Sequence, residues 1–419
     1  MKIESKKKIM SPLLIKLTLF LSVVGPGLVT ANLDNDAGGI ATYSLAGAQT
    51  GYRLMWILIP VTIALMMFQE MSARMGIVSG KGLADLIREK FGLRITFYSL
   101  FFLLFADLGN TMAEFAGIAA AGEIFGATRY LTVPICALLV WILVLKSDYK
   151  AIERIFIIGC SVFFTYIISG FMVGPNWGEV TLAIVNPDLH SITSKDLPIM
   201  VGLLGTSITP WMQFYIQSAV VEKGISTKHL WHSKIDVIAG CTLMLIVTFF
   251  IIICCAATIF HAGITNIHDA KDAAVALEPL AGKYASMLFG IGLFNASFFA
   301  AAILPLAASY YICQGMGWES GVDRTFKEAP HFFTIFTSMI VIGGAMTLIP
   351  GIDLFKILLY SQILNGLLIP IVILFIINLC NDPDIMGEYT NSPLQNFISY
   401  ILVTLMFFLN IPMVYYTLR

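Results

Sequence analysis

Long apolar runs joined by short polar connections decide what this chain can fold into. A helix needs about 20 consecutive apolar residues to cross a bilayer. Runs of that order recur at roughly 17–48, 52–75, 94–122, 130–146, 152–174, 198–222, 236–261, 284–315, 333–349, 353–379 and 395–417. They are continuous rather than alternating, which argues against a membrane β-barrel. Charged residues make up 12% of the 419 positions and hydrophobic residues 58%. Soluble domains carry roughly 25% charged residues, so lipid must serve as much of this chain's solvent. The sequence therefore predicts an all-α integral membrane protein of about 11 transmembrane helices, with residues 1–419 forming a single transmembrane domain.

Two of the runs are interrupted at mid-membrane depth. The first contains Asn32-Leu33-Asp34-Asn35-Asp36-Ala37-Gly38-Gly39, and the sixth contains Thr206-Ser207-Ile208-Thr209-Pro210-Trp211-Met212-Gln213. Carboxylates and paired glycines disrupt the first as a helix, and proline removes a ladder hydrogen bond from the second. The interruptions lie five runs apart. They divide the chain into one repeat over about 17–174 and a second over about 198–379, with an extra helix at about 395–417. Helix breaks at corresponding places in two halves point to a transporter's midplane site, where unwound backbone is tolerated because it lines a cavity.

Lysine and arginine cluster at the N-terminus (Lys2, Lys6, Lys7, Lys8) and in alternate connections. These are Lys81, Arg88, Lys90 and Arg94; Lys146, Lys150 and Arg154; Lys223, Lys228 and Lys234; and Arg324 with Lys327. All fall on one side of the membrane, which predicts a cytoplasmic N-terminus. The first run follows the lysines without a small-residue cleavage site, so it reads as retained. The net charge of -1 gives no sign of nucleic-acid binding. None of the seven cysteines forms a CxxC pair, so disulfide and zinc readings are weak. The chain carries no P-loop, HExxH, GxSxG or Rossmann motif. The expectation is a transporter, with no enzyme activity and no cofactor.

Asp36 is the sharpest candidate ligand. A carboxylate in mid-membrane is costly unless paired, hydrated or bound to a cation. Beside Gly38 and Gly39 it lies among freed carbonyls, and carboxylate plus carbonyl oxygen makes a hard-cation site. Asp34 reads either as a second ligand or proton site or as a solvated cavity carboxylate. Thr209 and the freed carbonyl of Thr206 are oxygen donors at the second break, although a threonine there also serves to re-satisfy a broken helix. Gln213 and Gln217 follow at helical spacing. Gln362 and Asn365 share a face of the tenth run, as cavity-lining donors or as helix–helix hydrogen bonds. Asp107 and Glu114, seven residues apart on the third run, form a pair that carries ions or protons or a structural network. The six histidines lie in loops or near run ends, and Met212 is the single methionine beside a break.

The first break reads Gly25-Pro26-Gly27, then Asp36-Ala37-Gly38-Gly39, then Ala46-Gly47-Ala48-Gln49-Thr50-Gly51-Tyr52. This resembles the DPGN and AGAQxGY signatures of the NRAMP family of divalent metal-ion transporters. Ala113-Glu114, Glu153-Arg154 and Ser361-Gln362-Ile363-Leu364 also resemble family positions. The resemblance implies two inverted five-helix repeats of the amino acid–polyamine–cation superfold. It also implies a site in which Asp and Asn of the first motif and Met of an MPH motif hold a transition metal. Here the Asp is Asp36, the Asn position is Gly39, the Met position is Thr209 and the His position is Trp211. These departures resemble the NRAMP-related magnesium transporters.

A thioether favours softer metals, so its loss removes that preference. Replacing Asn by Gly removes a ligand and is expected to widen the site for a partly hydrated ion. The expectation is therefore alternating-access transport of Mg²⁺, with Mn²⁺ also carried. Asp36, Gly39, Thr206, Thr209, Asp34, Gln213, Gln362 and Asn365 are the expected metal-site residues. The transport unit is expected to be a monomer in the inner or plasma membrane, without obligatory proton coupling because the sixth-run histidine is missing. A proton-coupled Mn²⁺/Fe²⁺ symporter and an amino-acid transporter of the same superfold are the alternatives, and a receptor or scaffold is a further one.

Overall fold

The computed structural model describes residues 25–146, 160–263 and 285–417, together with positions 273 and 282. Among the described residues there is no strand, and nine helices are long and apolar enough to cross a membrane. They correspond to every expected run except the first, which is broken, and the fifth. The N-terminal lysines, Lys150, Glu153, Arg154 and His268 lie outside the described residues, as do parts of the first and fifth runs.

In chain order the helices are α1 (Pro26–Asn32), α2 (Ala37–Thr50), α3 (Leu58–Ser79), α4 (Leu83–Ile124), α5 (Arg129–Lys146), α6 (Phe164–Met172) and α7 (Trp177–Val185). They continue as α8 (Leu197–Ser207), α9 (Pro210–Glu222), α10 (Leu230–Cys255), α11 (Ala285–Met316), α12 (Pro330–Thr347), α13 (Leu354–Cys380), α14 (Pro383–Met386) and α15 (Pro393–Thr417). The short α7, in a connection expected to be plain loop, starts where Asn176 accepts N–H bonds from Gly178 and Glu179. The helix α4 starts about ten residues before the expected run, because Gly92 bends it with φ of 81° and an amphipathic first segment precedes the bend.

Burial sorts the helices. Every residue of α2 except Gln49 is buried, as is the whole apolar stretch of α8 and α9. A helix apolar all round belongs in the interior, so the two interrupted runs form the centre. By contrast, α4 turns Phe97, Phe101 and Phe105 outward, and α15 exposes Leu394, Phe397 and Ile411. Such faces suit lipid rather than water. Around the centre, α10 packs on α1, α2 and α3, and α9 packs on α3. On the other side α4 packs along α11 and α12, and α13 lies against α8, α2 and α4.

Candidate cation site

The first break is a compact turn. The helix α1 ends at Asn32, Leu33–Asn35 form one tight turn, and α2 begins at Ala37. Asp36 takes extended backbone angles and caps α2, its Oδ1 accepting the Gly39 N–H at 2.6 Å. That bond offsets the positive end of α2 and leaves Oδ2 for another partner. The Ala37 N–H donates to Glu114 Oε2 at 3.3 Å, which brings the Glu114 carboxyl group beside that of the neighbouring Asp36. Both side chains are buried, and Glu114 Oε1 has no hydrogen bond. Two carboxyl groups this close cannot both be ionised without a proton or cation between them.

The second break supplies oxygens. The last helical N–H, from Ile208, closes on Leu204 at 2.9 Å. The Thr206 carbonyl would next accept from residue 210, but Pro210 has no N–H. Thr209 occupies the cap of α9 without capping it, and both Thr206 Oγ1 and Thr209 Oγ1 are buried without a hydrogen bond. The carbonyl ends of α1 and α8 also carry partial negative charge.

Glycines bring the two breaks together. A Cβ on Gly39 would run into the Asp34 carbonyl oxygen and stand 3.1 Å from Thr206 Oγ1. One on Gly38 would meet the Gln362 amide nitrogen, and Gly205 packs its backbone against the Gln362 carbonyl. Gly39 therefore does not widen the site as expected from its missing side chain; the Asp34 carbonyl fills that room. Asp34 contributes main chain here, while its carboxylate turns away to accept from the Tyr43 hydroxyl at 2.7 Å. That hydroxyl also lies 3.1 Å from Ser207 Oγ.

The other expected residues divide. Gln362 reaches the first break through Gly38. Asn365 is committed elsewhere, donating to Asn110 Oδ1 at 2.9 Å and Gln362 Oε1 at 3.1 Å. Gln213 accepts from Ser72 at 3.2 Å with its Nε2 free of hydrogen bonds, and Gln217 donates to the Lys81 carbonyl at 2.9 Å, tying α9 to the end of α3. Thr209 directly precedes Pro210 at the break, so Met212 sits inside α9. Trp211 is buried, with its Nε1 unbonded. Glu114 faces Asp36, and Asp107 does not share that contact. No group of three or more His, Cys, Asp or Glu suited to a metal occurs among the described residues, so any cation here is held mostly by neutral oxygens.

Asp236 on α10 was not singled out by sequence. Its carboxylate accepts the N–H groups of Gly25 at 3.1 Å, Gly27 at 2.7 Å and Leu28 at 3.2 Å. Gly27 and Gly240 allow the backbones to touch: a Cβ on Gly27 would stand 2.7 Å from the Val237 nitrogen. The available signal was an Asp in an apolar helix four residues before a glycine, opposite Gly25-Pro26-Gly27.

Comparison with known proteins agrees with this arrangement. The sequence matches the family described as Nramp, natural resistance-associated macrophage protein-like, over residues 27–416. It is 26% identical over 391 residues to a divalent metal cation transporter MntH of Erwinia tasmaniensis, covering 91% of each chain. It is 26% identical over 407 residues to the MntH of Aeromonas hydrophila, covering 93% of this chain and 94% of that one. The fold is similar to a crystal structure of the Eremococcus coleocola manganese transporter in complex with an aromatic bis-isothiourea substituted compound. There the TM-score is 0.79 at 20% identity, over 94% of this chain and 86% of that one. It is also similar to MhsT in complex with L-phenylalanine, with TM-score 0.59 at 13% identity, over 92% and 98% of the two chains. Two broken helices meeting at a buried carboxyl pair, and a match along almost the whole length, place the chain in the Nramp family.

Proposed function

We propose that this protein carries divalent metal cations across a membrane by alternating access, with Asp36 as the charged ligand. The observation that supports this most is the contact between Asp36 and Glu114 at the first break, beside the unbonded hydroxyls of Thr206 and Thr209. Two carboxyl groups match a charge of +2, and the remaining donors are neutral oxygens. The Asp34 and Thr206 carbonyls complete the donor set, and Gln362 joins it only when its amide turns so that the oxygen rather than the nitrogen faces Gly38. The relatives named MntH and the manganese transporter fold support the same class. Transport rather than catalysis, a monomeric unit in the plasma membrane, a cytoplasmic N-terminus and two repeats at about 17–174 and 198–379 all belong to this reading.

Mg²⁺ is the substrate the donors favour, because no thioether or imidazole stands at the second break to reward a softer ion. With Trp211 in the place of a histidine, the membrane potential is available as a driving force, worth about 2.3 kcal/mol per charge per 100 mV. A second reading, Mn²⁺ as the preferred ion, draws on the manganese transporter likeness. Uptake into proteoliposomes separates the two. Excess Mg²⁺ should suppress Mn²⁺ uptake, and Mn²⁺ uptake indifferent to Mg²⁺ overturns the magnesium preference. Asp36→Ala should abolish uptake of both ions, and unchanged uptake by that variant overturns the transport site itself.

A further inference from the structure

The bend of α4 at Gly92 separates paired cations from an unpaired one. Lys81 pairs with Glu89, Arg88 with Asp85 and Lys90 with Asp382. Just past the bend, Arg94 is exposed and makes no hydrogen bond or ion pair among the described residues. Its neighbours Leu93, Ile95 and Phe97 are exposed apolar side chains. Arg94 therefore stands where the lipid-facing part of α4 begins, on the side read above as cytoplasmic.

An apolar groove starts one turn further along. It lies between α4 and α13, has a volume of about 240 Å³, and its lining includes Tyr98, Phe102, Phe214, Ile371 and Phe375. Tyr98 and Phe102 follow Arg94 at helical spacing, so the three share one stripe of α4. Tyr98 is 62% exposed and Ile371 47%, so the groove opens sideways to lipid. Phe214 of α9 is buried and forms the floor, its ring 5.3 Å from that of Tyr311 on α11. Beside the bend, Phe91 meets Phe375 edge-on at 5.1 Å.

The charge and the groove together select the occupant. Water gains nothing from these walls, whereas an acyl chain does. An arginine at a helix end reaches the depth of lipid phosphates, and a guanidinium holds phosphate through parallel N–H bonds. A lipid's chains run from its headgroup toward the bilayer centre, which is the direction in which the groove leaves Arg94. The nearby acid Asp382 is already neutralised by Lys90, so the charge of Arg94 is uncompensated. A zwitterionic headgroup would bring its own ammonium toward that charge, and an anionic one would not.

We propose that an anionic phospholipid occupies this groove, its phosphate on Arg94 and one acyl chain against Tyr98, Phe102 and Phe214. Such a chain touches α4, α13 and α9 at once. The helix α9 begins at the second break, and α4 carries Glu114. The bound lipid thereby stabilises the packing of α9 against α4 that is seen here. This site lies outside the cation site and needs no ion.

The test is lipid binding by the purified full-length protein, read by native mass spectrometry and by thermal melts in detergent. Phosphatidylglycerol is the anionic probe and phosphatidylethanolamine the zwitterionic one. No metal ion is added, so a failure of the transport reading leaves this result standing. Wild type should retain phosphatidylglycerol in preference and melt at a higher temperature in its presence. Arg94→Gln should weaken phosphatidylglycerol binding about fivefold, the factor for one basic residue at a membrane surface, and leave phosphatidylethanolamine binding unchanged. Ile371→Trp fills the groove and should weaken binding of both lipids. Lys228→Gln, at an exposed lysine of another connection, should change neither. Wild-type phosphatidylglycerol binding by Arg94→Gln, or an equal loss in Lys228→Gln, overturns the proposal. So does equal retention of the two lipids by wild type, or unchanged binding of both by Ile371→Trp.

Discussion

Installing the family's asparagine at position 39 is the substitution that most directly tests the packing at the first break. Ligand chemistry alone predicts that Gly39→Asn restores a donor and raises Mn²⁺ affinity. The structure predicts the opposite. The obstacle to a Cβ is the main-chain carbonyl of Asp34, with Thr206 Oγ1 a further 3.1 Å contact. A flexible side chain can rotate away, but this carbonyl belongs to the three-residue turn Leu33–Asn35 and cannot retreat without unwinding it. Overpacking costs typically 1–3 kcal/mol, and a rigid obstacle places this case near ~3 kcal/mol. For a large chain, at roughly 2 °C per kcal/mol, the apparent melting temperature falls by about 6 °C. Because the displaced carbonyl and hydroxyl are themselves candidate ligands, Mn²⁺ affinity falls by about tenfold or more, equivalent to ~1.4 kcal/mol. Gly38→Ala is the matched control. Its Cβ meets the Gln362 side chain, which can move, so affinity should suffer while stability changes less. Melting curves and Mn²⁺ titration on purified protein read both quantities. Tighter Mn²⁺ binding by Gly39→Asn at an unchanged melting temperature refutes the reasoning.

Three further outcomes follow from named contacts. Asp236→Ala strands three N–H groups that now bond a carboxylate, and should lower stability by about 3 kcal/mol, with Asp236→Asn costing about 1 kcal/mol because one acceptor remains; equal, negligible shifts in denaturant melts contradict the capping role. Thr209→Met places a thioether at the second break and should move selectivity toward Mn²⁺ over Mg²⁺ by about tenfold in competition uptake; no change in the ratio argues against Thr209 facing the ion. Lys90 pairs with Asp382 at 2.6 Å, and that hydrogen bond, with the Asp384 N–H, holds the Asp382 carboxyl below the usual carboxylate range. A depressed folded-state value gives stability above the ordinary pKa of about 4, lost as pH falls through the lower value. Acid melts should therefore show a stability drop below about pH 4 that is smaller in Asp382→Asn, and an identical drop in that variant removes this pair from the account.

What the sequence made legible follows from how local each signal is. The two breaks were readable because their causes are covalent neighbours: Asp36 stands three residues before Gly39, and Pro210 lies four after Thr206. The same holds for α13, whose apolar run fixes its length and whose Gln362 and Asn365 fall on one face. Partners across the bundle were not readable. The Asp236 and Gly240 pair marks a close approach on α10, but nothing local to it says that the partners are Gly25, Gly27 and Leu28. The direction of Asp34 was hidden for a different reason: the tight turn Leu33–Asn35 rotates its carboxylate toward Tyr43 and its carbonyl toward Gly39. Spacing also misled at α4. Asp107 and Glu114 do lie on one side of that helix, but about two turns of rise separate their neighbourhoods by roughly 10 Å. One meets Asp36 and the other Tyr311.

The packing explains why an ion held here can be tied to movement. Contacts join α1, α2, α3, α9 and α10 into one group, with Asp236 and the Asn35–Thr248 bond at 3.2 Å fastening the first run to α10. A second group joins α4, α5, α11 and α12. Asp36 belongs to the first group and Glu114 to the second, so their contact crosses the seam. Without a cation, two such acids can stay close in a low-dielectric gap only if at least one of them carries a proton. A divalent ion would replace it with attraction to both acids while drawing oxygens from α8 as well. The difference in free energy between a seam holding a protonated acid and one bridged by an ion is the quantity that can bias two arrangements of the groups. A ligand shifts such an equilibrium only by its differential affinity for the two states. Residues that touch both sides of the seam therefore carry the coupling. Those that touch only one, such as Asp236, set how rigidly each group moves.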